Sequence, residues 1–200
     1  MSYQPSLWGI GAAPLRADNV FFALKPDESV ASDIRRIAVR ENDRHRLRGQ
    51  PIKAACLHLT LQRLDDERRV LFAGEHAAAA VAMPPFEVAF DRLESFRAKP
   101  GHVPLVLRGD DGLVGVMMLR RNLGKAMEKV GLGPYVHSRF TPHVTLLYGD
   151  RPIAEQRVET IGWTVREFVL VRSLYGKGEH IELGRWPLQA TTSANLPGEP

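Results

Sequence analysis

His58-Leu59-Thr60-Leu61 returns almost unchanged as His143-Val144-Thr145-Leu146. In an extended strand, alternate side chains share a face. Each copy therefore turns a histidine and a threonine to one side and two aliphatic residues to the other. The aliphatic pair can anchor the strand on an apolar core, which leaves the polar pair facing a groove or solvent. Two copies that face one another would bring two imidazoles and two hydroxyls into one place. The repeat thus points to a duplicated fold with the motif strands side by side.

The flanking sequence supports a strand-helix-strand unit around each copy. Val20-Phe21-Phe22-Ala23-Leu24, within 19–24, is a short apolar run suited to a buried strand, and Lys25-Pro26-Asp27 breaks it. Ser29 is the expected cap of a following helix, in which Val30, Ile34, Ile37 and Ala38 form an apolar stripe. The other face carries Arg35, Arg36, Arg40, Arg44 and Arg48 interleaved with Asp33, Glu41 and Asp43, the pattern of a solvated face. Residues 57–64 read as the first motif strand, and 65–82 as a helix closed by Met83-Pro84-Pro85. Alternation in 86–96 and the run 103–107 predict two strands joined through Lys99-Pro100-Gly101. Asp110-Asp111-Gly112 leads into a helix over 113–130, with Met117-Met118 read as core filler and Gly131 and Gly133 at its end. The second motif strand occupies 143–148. Residues 163–175 read as one long strand, and Gly176-Lys177-Gly178 turns it into 180–186. Residues 1–18 form an extension, 19–188 the folded domain, and 189–200 a tail expected to be disordered.

Two hundred residues, 44% hydrophobic and 25% charged, suit one globular domain or two small lobes sharing a core. The net charge of +4 favours anionic partners without identifying them. Cys56 is the single cysteine, so an internal disulfide and a thiolate zinc cluster are excluded. It lies in an apolar run and reads as inert packing. No stretch approaches the ~18 apolar residues of a membrane span, and Pro5, Gly9, Gly11 and Pro14 interrupt the apolar N-terminus. The expected location is the cytoplasm.

Histidine is the side chain best matched to proton transfer near neutrality. In-line displacement at phosphorus needs one group to activate the incoming oxygen and another, on the opposite side, to protonate the leaving oxygen. Threonine hydroxyls can donate to the non-bridging oxygens, where charge concentrates. A ribose 2′,3′-cyclic phosphate suits such a site, because its strained ring opens with one protonation. One His-x-Thr alone is ordinarily a packing accident with a satisfied imidazole. Two copies with matching aliphatic positions make accident a poor explanation. Two histidines without a nearby Asp, Glu or Cys also make a poor zinc site. His45, His76, His102 and His180 have no motif around them, and His137 lies close enough to the second motif to line the groove.

These residues resemble the 2H phosphoesterases, in particular the bacterial 2′-5′ RNA ligase or RNA 2′,3′-cyclic phosphodiesterase branch. The likeness runs from Val20-Phe21-Phe22-Ala23-Leu24 through Leu57-His58-Leu59-Thr60-Leu61 to Phe140-Thr141-Pro142-His143-Val144-Thr145-Leu146. It continues into Phe168-Val169-Leu170-Val171-Arg172-Ser173 and Glu182-Leu183-Gly184-Arg185-Trp186. The resemblance implies a bilobed α+β fold with pseudo-two-fold symmetry, an antiparallel sheet in each lobe, helices outside and the site in the cleft between lobes. It implies opening of cyclic phosphates to 2′-phosphates without metal or other cofactor, with reversible 2′-5′ ligation in some members. His58 and His143 would be the catalytic pair, and Thr60 and Thr145 the phosphate clamps. The expected partner is a nucleotide or an RNA 2′,3′-cyclic phosphate end, and the protein is expected to be a monomer away from membranes. The chain departs from the family at Tyr148, where many RNA-acting members carry arginine. Strict alternation puts Tyr148 on the face opposite His143 and Thr145 unless a bulge intervenes. Tyr148 is kept as a substrate-contact candidate, with Arg139 and Lys25 as alternative sources of charge. A non-catalytic nucleotide- or RNA-binding module of the same fold is the competing reading.

Overall fold

A computed structural model describes residues 18–99 and 101–189. Residues 1–17 of the expected extension (1–18), residues 190–200 of the expected tail (189–200) and Pro100 of the expected turn lie outside the described residues. Eight strands and three α-helices follow in the order β1 (Asn19–Leu24), α1 (Glu28–His45), β2 (Leu59–Leu64), α2 (Arg68–Ala79), β3 (Phe86–Ser95), β4 (Val103–Arg108), α3 (Val114–Lys129), β5 (Val144–Gly149), β6 (Gln156–Val165), β7 (Glu167–Leu174) and β8 (Glu179–Pro187).

The strands form two four-stranded antiparallel sheets, ordered β2-β1-β7-β8 and β5-β4-β3-β6. The units β1-α1-β2 and β4-α3-β5 are equivalent: in each, a helix returns the chain so that the motif strand pairs antiparallel at one sheet edge. The two motif strands are neighbours in space. β6 belongs to the second sheet, but the chain crosses at Arg166 and β7-β8 complete the first. This is the bilobed α+β architecture with an antiparallel sheet in each lobe.

One apolar core runs under both sheets, with Phe22, Ile34, Leu59, Phe90, Leu107, Leu119, Leu146 and Phe168 fully buried. Its burial is the main stabilising term of the fold. A small separate cluster, Phe21, Ala23, Val169 and Val171, lies on the opposite face of the first sheet. That face holds the first histidine.

Four details differ from the sequence reading. The cap of α1 is Asp27 rather than Ser29, and its side chain makes no capping bond. Residues 163–175 are two strands in different sheets, β6 and β7. Both histidines stand immediately before their strands rather than within them. Met117 and Met118 are exposed, because the buried stripe of α3 is Val116, Leu119, Leu123 and Met127. The arginine face of α1 is solvated, with Arg36 paired to Asp33, but Glu41, read as part of that face, is buried and held by Arg40 and Gln156. Cys56 is buried, and burial pushes its thiol pKa up, which fits an inert packing role. Among the described residues, no helix is long and apolar enough to cross a membrane.

Candidate active site

Each motif strand carries one extra residue at the same place. Ala23 pairs with Thr60 but Phe22 pairs with Gln62, so Leu61 bulges from β2. Val106 pairs with Thr145 but Leu105 pairs with Leu147, so Leu146 bulges from β5. A bulge resets alternation, and the fifth residue after each histidine returns to the face of the histidine and threonine. That residue is Arg63 in β2, opposite Phe21, and Tyr148 in β5, opposite Pro104. Tyr148 thus stands on the cleft side, where an uninterrupted strand would have hidden it.

A bulge frees a carbonyl, and both freed carbonyls find donors from outside their sheets. Ile52 N–H donates to the Leu146 carbonyl at 2.8 Å. The loop bearing Ile52 passes so close to β5 that a Cβ on Gly49 would lie 2.6 Å from the Tyr148 carbonyl oxygen. Arg120 Nε–H donates to the Leu61 carbonyl at 3.0 Å. The same guanidinium donates to the His137 carbonyl and covers the Phe140 ring at 4.3 Å. Arg120 therefore ties the first motif strand to the segment leading into the second. Replacing Arg120 with methionine is expected to lower unfolding stability by about 2–3 kcal/mol, since it orphans carbonyls held by a charged donor. Denaturant titration checks this, and an unchanged midpoint would contradict the role.

The histidines are held alike. His58 Nδ1–H donates to the Cys56 carbonyl at 2.8 Å, and His143 Nδ1–H to the Thr141 carbonyl at 2.7 Å. A carbonyl can only accept, so it fixes the proton on Nδ1 and leaves Nε2 as the exchanging nitrogen of the neutral ring. His58 stacks on Phe21 at 4.6 Å, with the edge of His180 at 5.1 Å. His143 meets Phe96 edge to face at 4.9 Å.

Burial lowers the His58 pKa to about 4, helped by the charges of His180, Arg63 and His143 against the pull of the Cys56 carbonyl. Burial also lowers His143, with Arg108 and Arg63 adding to the effect against the Thr141 carbonyl. Arg108 itself is held by Glu94 at 2.5 Å. Both rings are neutral near pH 7.

A cavity of about 260 Å³ joins the motifs, walled by Thr60 and Arg63 on one side and Thr141 and His143 on the other, with Arg139 and Phe140 beside them. Thr60 and His143 are thus brought together directly. His58 lies outside that wall but near enough to His143 for their charges to interact. Thr145 shares the His143 side of its strand, and neither Thr60 nor Thr145 spends its hydroxyl on another described residue. Tyr148 is farther along β5, half-exposed, stacked on His102 at 4.2 Å with the rings 3° from parallel. Arg139 reaches the cavity, whereas Lys25 sits by His180 and Cys56. Among the described residues, no group of three His, Cys, Asp or Glu side chains is placed to hold a metal.

The cavity continues into a groove of about 560 Å³ over α3, sharing Gln62, Arg120 and His137 and reaching Arg121 and Lys125. Sequence reasoning missed Arg63, Arg120, Phe21 and His180. Arg63 could have been found by aligning the two motifs to their fifth residue. Arg120 has no local signal, because its partners are distant in the chain.

Residues 26–176 match the model of the 2′-5′ RNA ligase superfamily. No curated protein is similar enough to the chain to match it. Among solved structures, a protein described as a phosphoesterase superposes with a TM-score of 0.68 at 23% identity, over 86% of this chain and 99% of its own. The TT0787 protein of Thermus thermophilus superposes with a TM-score of 0.69 at 21% identity, with the same coverage. Escherichia coli LigT complexed with 3′-AMP gives 0.65 at 23% identity, again over 86% and 99%. At such identities the structures show a shared fold. The match of the family model over most of the chain shows more: this protein belongs to the 2′-5′ RNA ligase superfamily of 2H phosphoesterases.

Proposed function

We propose that the chain is a metal-independent phosphodiesterase that opens ribose 2′,3′-cyclic phosphates to 2′-phosphates. The observation that carries the reading is the matched presentation of two imidazoles, each with Nδ1 tied to the carbonyl two residues before it. His58, the more acid-shifted of the pair, takes a proton from water as the water oxygen bonds to phosphorus. The bond from phosphorus to O3′ breaks, and His143 gives its proton to O3′. Thr60 and Thr145 donate to the non-bridging oxygens, whose charge grows in the transition state. A 5′-hydroxyl in place of water would make a 2′-5′ linkage by the same exchange, but water's abundance makes hydrolysis the net direction. The LigT structures with phosphate and with 3′-AMP lend support to a nucleotide phosphate as ligand.

The Tyr148–His102 stack offers a flat aromatic surface for a nucleobase. The groove past Arg121 and Lys125 favours an RNA end over a lone nucleotide, since neither cation has an ion-pair partner among the described residues. The Arg121→Glu, Lys125→Glu double variant is expected to hydrolyse a cyclic mononucleotide at the wild-type rate. It should lose about tenfold in kcat/KM on a single-stranded oligonucleotide ending in a cyclic phosphate. Removing two phosphate contacts should also reduce the log–log salt slope by about 1.4. Equal rates on both substrates for both proteins would instead indicate a small nucleotide.

A further inference from the structure

We propose that Arg63 is the cation that grips the non-bridging phosphate oxygens, supplied from the first motif strand. The inference rests on the cyclic-phosphate reading for its substrate, and on geometry for the site. The bulge at Leu61 turns Arg63 to the face that carries Thr60, opposite Phe21, the ring on which His58 stacks. Its side chain walls the cavity that also contains Thr60 and His143. Its charge is felt by both histidines.

Arg63 is also unspent. Its one side-chain polar contact among the described residues is a 3.5 Å bond to the Asn19 side-chain oxygen, at the outer limit of hydrogen bonding. Three neighbouring guanidiniums are committed, Arg108 to Glu94, Arg172 to Asp66 and Arg120 to the Leu61 and His137 carbonyls, whereas among the described residues Arg139 beside the cavity is not. Arg63 stands between this cavity, whose lining holds no carboxylate, and a second one bordered by Asp18, Asp65 and Asp66. It is within ion-pair distance of no carboxylate among the described residues, which leaves it available for an external oxyanion. The guanidinium fork fits two phosphate oxygens at once, which a lone hydroxyl cannot do.

The equivalent position across the pseudo-two-fold is Tyr148, whose side chain offers a hydroxyl and no guanidinium. At this pair of positions the cation stands on the β2 side, while Arg139 reaches the cavity from the segment leading into β5. The phosphate is held toward β2 by Arg63, and the nucleoside is left the aromatic wall of Tyr148 and His102. Because the two positions are equivalent, a guanidinium placed at 148 should reach the same oxygens from the other side.

The test uses Arg63→Gln and the double variant Arg63→Gln, Tyr148→Arg, each checked for wild-type thermal unfolding. Binding of inorganic phosphate is followed by titration, and hydrolysis is assayed with a 2′,3′-cyclic mononucleotide in chelator. Arg63→Gln should weaken phosphate binding at least tenfold and lower kcat/KM by about 100-fold, the size of effect seen when one oxyanion donor is removed. The double variant should recover at least tenfold of the lost kcat/KM. Wild-type phosphate affinity in Arg63→Gln, or a loss that arginine at 148 does not relieve, would overturn the assignment. If phosphate binding follows the expected pattern while wild-type protein opens no cyclic phosphate, the anion site stands and the cyclic-phosphate reading fails. If wild-type protein turns over and Arg63→Gln matches it, the reverse holds.

Discussion

Alanine at His143 is expected to lower kcat/KM for a 2′,3′-cyclic nucleotide by about 10²–10⁴-fold, and alanine at His58 to do the same. The two losses should be distinguishable by pH. kcat/KM reports the free protein, in which His58 must be neutral to accept a proton and His143 protonated to give one. Activity should therefore rise as pH passes about 4, the His58 value, and fall as His143 deprotonates below the usual histidine range. The optimum lies on the acid side of neutrality. His58→Ala removes the acidic limb and His143→Ala the alkaline limb. Bound phosphate favours the protonated rings, so both limbs of the kcat profile should move to higher pH. A residue pair acting as a unit also makes the double variant little worse than the worse single one. Matching pH profiles for the two single variants would contradict these separate roles.

The second large effect is on stability. His58 is neutral in the fold down to pH of about 4, whereas in the unfolded chain it titrates near the ordinary value of 6.5. Between those values the unfolded state binds the extra proton, so stability falls as pH is lowered through this window. At pH 6.5 and above His58 imposes almost no penalty, and at pH 4 the penalty reaches about 3 kcal/mol. That is a large share of the ~5–15 kcal/mol typical of a domain. His143 and His180, also shifted down chiefly by burial, add in the same direction. Urea unfolding at pH 7 and pH 4 should show the fall in wild-type protein and a smaller one in His58→Gln, which cannot protonate. Equal falls in the two proteins would show that His58 is not the buried neutral group described here.

The duplicated architecture was legible because a single repeated tetrapeptide carries both periodicities that matter. Its aliphatic residues anchor the strands, and its polar residues mark the shared face. The strands β1, β3 and β4 were legible from apolar runs and alternation. β6 was legible only at its C-terminal end, since Gln156, Arg157, Glu159 and Thr160 give the edge of the second sheet a polar start. The crossing at Arg166 from one sheet to the other leaves no mark in local composition. Met117 and Met118 were misassigned for an avoidable reason: the stripe through Val116, Leu119, Leu123 and Met127 already fills the inward face of α3.

The bulges explain what was hidden in the site. Whether Leu61 and Leu146 are extra residues depends on how β1 and β4 pair with the motif strands, which no short stretch encodes. Without the bulges Arg63 points into the core and Tyr148 behind the sheet. With them, the two halves of the cleft differ at one equivalent pair of positions, a cation on one wall and a phenol on the other. The departure at Tyr148 thus has its counterpart at Arg63.

The most direct measurement is hydrolysis of a 2′,3′-cyclic nucleotide in excess chelator by wild-type protein and by the His58→Ala, His143→Ala double variant, with 2′- and 3′-phosphate products separated. The paired-histidine account predicts 2′-phosphate alone from wild-type protein and the uncatalysed rate from the double variant. No turnover by wild-type protein, the behaviour of a nucleotide-binding module, or undiminished turnover by the double variant would contradict it.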